Sequence, residues 1–126
     1  MTAKEHWKDR PDEHDYPAAS DYLGLLMDAA ACEKAVSAMR AAPLVHCKAK
    51  DLLRASRLPL LPPDNDHVAK DLHKVERGEL LSPVLLVRGR LAADVPLTVA
   101  DGYHRICASY HLAEDADIPC RIADLG

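Results

Sequence analysis

Asp101-Gly102-Tyr103-His104-Arg105 gathers a carboxylate, a phenol, an imidazole and a guanidinium around one glycine. An apolar stretch at 96–100 reads as a strand before it, and a helical pattern over 103–112 follows it. Glycine permits a tight turn at such a junction, and a helix opening there turns unpaired backbone N–H groups toward an anion. Gly102, Tyr103, His104 and Arg105 therefore read as a small phosphate cradle, with His104 donating to an oxygen and Arg105 stabilising phosphate charge. Asp101 is a candidate metal ligand or base, and it reads equally as the N-cap of the helix. A helix terminus contributes roughly 0.3–1 kcal/mol to anion binding and a charge-assisted hydrogen bond about 1.5–3 kcal/mol. Micromolar affinity needs about 8 kcal/mol, so further groups must assist. Lys70 and Lys74 on the preceding helix are the candidates, with His67 a lesser one.

The same residues admit other readings. His104, Cys107 and His111 are spaced for one helical face, and with Cys120 they offer a four-ligand zinc set. Arg105 pairs as well with a carboxylate, Asp101 or Asp124 being the candidates. The Tyr103 hydroxyl can be satisfied by a nearby carbonyl or water.

The elements that must position these residues follow from pattern and punctuation. Residues 1–16 are charged and aperiodic and read as an arm, loosely ordered unless it packs on the domain or a partner. From Pro17, apolar residues Tyr22, Leu25, Leu26, Ala29, Cys32, Val36 and Met39 recur at helical steps until Pro43, predicting one long amphipathic helix that covers a sheet or dimerises with a second copy. A short apolar run at 44–47 precedes one or two helical turns at 50–56. A helix capped by Asn65 or Asp64 carries Val68, Leu72 and Val75 on one face and ends at Gly78. Strands are predicted at 83–88 and 96–100, and a last one at 118–122, placed at a sheet edge because Pro119 cannot donate to a ladder. The fold class is α+β, a small mixed sheet flanked by helices. Residues 1–43 form an N-terminal helical extension and 44–126 the domain proper, the two making one compact unit.

Strand, Asp-Gly, a helix opening with His-Arg, and Ile118-Pro119 shortly after resemble the ParB/sulfiredoxin superfamily, in which a Gly-x-x-Arg turn opens a helix beside nucleotide phosphates. The helix from Asn65 to Arg77 with Ser82-Pro83-Val84-Leu85-Leu86-Val87 extends the resemblance over about residues 44–123. It implies binding of ATP or another nucleotide, with magnesium, and phosphoryl transfer or nucleotide hydrolysis as the reaction class. The sulfiredoxin turn has a nucleophilic cysteine where this chain has Tyr103, and a phenol does not replace a thiolate in sulfur chemistry. The ParB turn matches Gly102, His104, Arg105 and Ala108, but the DNA-binding region of those proteins has no room here. The alternative function is a non-catalytic protein-interaction module in which the motif is structural.

Composition narrows the classes further. The formal charge is −4 among 126 residues, Phe is absent, and the core must be built from Leu, Val, Ile and Ala. Such a charge argues against a DNA partner. The cysteines show no Cys-x-x-Cys spacing and no apolar leader is present, so a bacterial-type cytoplasmic protein with reduced thiols is expected. Asp28, Glu33 and Lys34 interrupt the most apolar segment, which excludes it as a membrane span.

Overall fold

A computed structural model describes residues 6–125. Its elements are α1 (Asp15–Leu23), α2 (Ala29–Ala41), β1 (Val45–Lys48), α3 (Ala49–Ser56), α4 (Asp66–Glu76), β2 (Val84–Val87), β3 (Thr98–Asp101), α5 (Tyr103–Leu112) and β4 (Asp117–Ala123). The strands form one mixed sheet in the order β1-β4-β2-β3. β1 runs antiparallel to β4, β4 parallel to β2, and β2 antiparallel to β3. The α+β class is as expected, and no helix among the described residues is long and apolar enough to cross a membrane.

Both faces of the sheet are covered, and alternation along the strands sorts the side chains. Leu86 and Val84 of β2 and Ile118 and Cys120 of β4 face α3, α4 and α5, packing on Leu52, Val68, Ile106 and Ala108. Leu85, Val87, Ala100 and Ala123 point the other way, onto Tyr16, Ala19 and Leu23 of α1 and Ala35 and Met39 of α2. This is why β2 reads as an unbroken apolar run: all four of its residues are buried.

Two expectations are corrected. The predicted long helix is two helices with a corner between them. Gly24 caps α1, and the Asp28 side chain accepts a hydrogen bond from Ala31 N at 2.8 Å to start α2. Leu25 and Leu26, expected on the covered stripe, lie in this corner and are exposed. The last strand is not at the edge either; β4 sits between β1 and β2. Pro119 is accommodated because pairing with β2 begins only at Cys120, so at Pro119 the strand is flanked by β1 alone.

The N-terminal arm packs on the domain from residue 6 onward; residues 1–5 lie outside the described region. Lys8 N donates to Leu81 O at 2.8 Å and Leu81 N to His6 O at 2.6 Å, and Asp12 N donates to Ser82 Oγ at 2.9 Å. α4 begins as predicted, with Asn65 Oδ1 accepting from His67 N and Val68 N, and Gly78 takes the left-handed conformation just beyond its end.

Candidate functional site

β3 ends at Asp101, Gly102 turns the chain with φ +112°, and α5 starts at Tyr103. Only glycine serves at this turn. A Cβ on Gly102 would lie 2.5 Å from Val84 Cγ1 and 3.0 Å from Arg105 Nη2, in a backbone region that side chains disfavour. Gly102 occupies the N-cap position itself, and no side chain caps the first turn of α5. The Asp101 carboxylate, expected as an alternative cap, instead accepts from Arg105 Nη2 at 2.5 Å.

Arg105 is the hub of the site. Its Nη1 donates to Ser82 O at 2.6 Å and to Asp15 Oδ2 at 3.2 Å, while Nη2 holds Asp101. Ser82 Oγ also donates to Asp15 Oδ2. The guanidinium side chain is 13% exposed and shared between two carboxylates, one from α1 and one from β3. Asp101 was legible as a partner; Asp124 lies elsewhere, against Arg88 at 3.3 Å. Asp15 was missed because it comes from the far end of the chain, with no local spacing to mark it. Burial raises the Asp101 pKa, Arg105 opposes that rise, and the nearby Asp15 charge adds to it.

Above this hub opens a pocket of about 490 Å³. The α1 side contributes Asp12, His14 and Asp15; α4 contributes His67, Lys70, Asp71 and Lys74; and Gly102, His104 and Arg105 close the base. The Lys70 and Lys74 expectation thus meets the cradle in one cavity. His67, Lys70, Asp71 and Lys74 share one face of α4, a spacing of three and four that the sequence displays. Nothing in the sequence separates Asp71 from an ordinary surface carboxylate. Burial raises its pKa, against the lowering influence of Arg105, Lys74, His104 and Lys70.

The imidazoles of His67 and His104 lie 4.7 Å apart between ring centroids. Burial first, then the neighbouring His67, holds the His104 pKa below its ordinary 6.5, with Asp71 opposing. His104 is therefore a neutral donor or acceptor at neutral pH. Tyr103 turns away from this chemistry: its hydroxyl donates to Pro59 O across to the loop before α4, and burial raises its pKa.

Metal chemistry finds limited support. The zinc set of His104, Cys107, His111 and Cys120 does not assemble, and His111 Nε2 instead contacts Leu61 O at 2.7 Å. Among the described residues, Asp12, His14 and Asp15 form the one group of three such side chains, with ligand atoms within 4.8 Å. Lys8 already sits 2.8 Å from Asp12, and Arg105 neutralises Asp15. Magnesium demands near-octahedral oxygen ligation, so these residues do not fit a protein-built magnesium cage. Comparison with protein-family models, with curated proteins and with solved structures finds no match.

Proposed function

We propose that the pocket at the start of α5 binds a phosphate-bearing small molecule, a nucleotide such as ATP fitting its size and chemistry, as the resemblance to the ParB/sulfiredoxin superfamily implies. The observation that carries this reading is the meeting, in one open cavity, of an uncapped helix N-terminus with Lys70, Lys74 and His104. Arg105 plays a different part from the one its type suggests. Held between Asp15 and Asp101, it fixes the turn that presents the amides, and it lends the ligand only the charge its carboxylates leave over.

If the bound phosphate reacts, phosphoryl transfer or hydrolysis is the class. His104 stands at the cradle as hydrogen-bond donor, Asp101 at its rim serves as base, and Asp71, kept easier to protonate by burial, is placed to hold a proton beside His104. Magnesium would enter with the nucleotide and not as a resident ion.

The test is a thermal-shift panel of inorganic phosphate and nucleotides, with and without magnesium. A ligand at one hundred times its Kd stabilises by about 2.7 kcal/mol, which is several degrees in Tm for a domain of this size. The Lys70→Ala/Lys74→Ala double variant should fold and lose that shift. A normally folded protein that no phosphate compound stabilises would overturn the reading.

One feature supports the alternative of an interaction module. Leu25 (83% exposed) and Leu26 project from the α1–α2 corner beside a groove of about 440 Å³ lined by Met27, Cys32 and Val36. The motif around Arg105 would then serve only to clasp α1 to the sheet.

A further inference from the structure

All four cysteines are free thiols, and they occupy different surroundings. Cys32 is buried between α1 and α2 and donates to Ser20 O. Cys107 is buried in α5 against the sheet. Cys47 and Cys120, distant in sequence, meet across β1 and β4. Val45 stands opposite Cys120 and Cys47 opposite Ile118, so the two cysteines are diagonal neighbours on one face of the sheet.

The two members of this pair differ in access. Cys120 is fully buried in the central strand, its Sγ donating to Ile118 O at 3.2 Å. Cys47 is half-buried on β1, the four-residue strand at the edge of the sheet. Solvent touches Cys47, while Cys120 has none of its surface exposed. We propose that Cys47 and Cys120 form a peroxide-reactive thiol pair, in which Cys47 attacks a hydroperoxide and Cys120 resolves the product to an intramolecular disulfide.

The chemistry balances with hydrogen peroxide as the oxidant. The Cys47 thiolate forms an S–O bond as the O–O bond breaks, giving a sulfenic acid and hydroxide. Cys120 sulfur then bonds to Cys47 sulfur, the S–O bond breaks, and the Cys120 proton leaves with the departing oxygen as water. Two thiols are oxidised and one peroxide is reduced to two waters. Electrostatics agree with the division of roles. The neighbouring Cys120 thiol lowers the Cys47 pKa to about 7, with Arg88 helping and burial opposing. The Cys120 pKa is pushed upward by Cys47 and by burial, which keeps it protonated until the partner is oxidised. Diagonal partners on antiparallel strands stand about 7–8 Å apart, beyond the roughly 4.4–6.8 Å that a disulfide spans, so closing the bond requires the backbone to move. The remaining approach falls on β1, which is held by a single neighbouring strand and so is among the less restrained parts of the sheet.

The experiment treats folded, reduced protein with stoichiometric hydrogen peroxide, counts thiols after denaturation and maps peptides without reduction. Free thiols should fall from four to two, with residues 47 and 120 linked. In Cys120→Ala the reaction should stop at a sulfenic acid on Cys47 that dimedone traps. Should that variant not fold, the wild-type map decides alone. Retention of all four thiols, or linkage of any other pair, would overturn the proposal.

Discussion

Arg105 neutralises two carboxylates that would otherwise face each other with little solvent to screen them, Asp15 being 8% and Asp101 20% exposed. Taking one partner from a buried ionic cluster costs about 3–5 kcal/mol, because the charge left behind is uncompensated. Arg105→Ala should therefore lose about that much stability at pH 7 by chemical denaturation, a large share of the 5–15 kcal/mol typical of a domain. Protonating the orphaned carboxylates relieves the repulsion, so the deficit should shrink as pH falls toward 4. A loss below about 1 kcal/mol, or one that does not depend on pH, would show that Arg105 is not the clasp. Arg105→Lys should recover only part, since an ammonium lacks the planar fork that spans Asp15, Asp101 and Ser82 O.

At the scale of elements, α4 and α5 meet at their N-terminal turns, where His67 and His104 face each other. Burial first, then the neighbouring His67 and more weakly the Arg105 charge, disfavours an imidazolium there, and the positive ends of two helices act in the same direction. Because the folded His104 pKa is lowered below 6.5, the unfolded chain binds its proton more readily. The stabilisation from keeping His104 neutral is present above pH 6.5 and is lost as pH falls through the lower folded value. Urea midpoints should thus drop more steeply below pH 6.5 in the wild type than in His104→Gln, and saturating phosphate should reduce the wild-type drop. Parallel wild-type and variant profiles would remove His104 from this role. Both helices were legible in the sequence, as were the strand-to-helix turn at Gly102 and the lysines on α4, because caps, periodicity and a glycine are local signals. The interior position of β4 was not. Pro119 signals a lost donor but not where a neighbouring strand begins to pair, and that depends on register with β2. The break at Gly24 to Asp28 was hidden in the same way: apolar residues continue at helical spacing through a corner that leaves Leu25 and Leu26 exposed.

At the scale of the whole molecule, α1 and α2 pack on the sheet of the residues that follow them. Residues 44–125 contain every strand among the described residues and the cradle, yet one face of that sheet is completed only by α1 and α2, and Arg105 finds one of its two carboxylates on α1. Tyr16, Leu23 and Met39 are buried against β2 and β3 or their neighbours, and each such side chain contributes about 1.5–3 kcal/mol when fully buried. Removing them would expose Leu85, Val87, Ala100 and Ala123 at the same time. The combined loss is comparable with the net stability of an ordinary domain. A chain of residues 44–126 alone should then show no cooperative thermal transition by circular dichroism at 25 °C and above. The intact chain, in contrast, should melt in one step with α1 and the sheet unfolding together. A sharp melt from the shortened chain would make α1 and α2 an appendage, and would shift the origin of Arg105's fixed position to Asp101 and Ser82 alone.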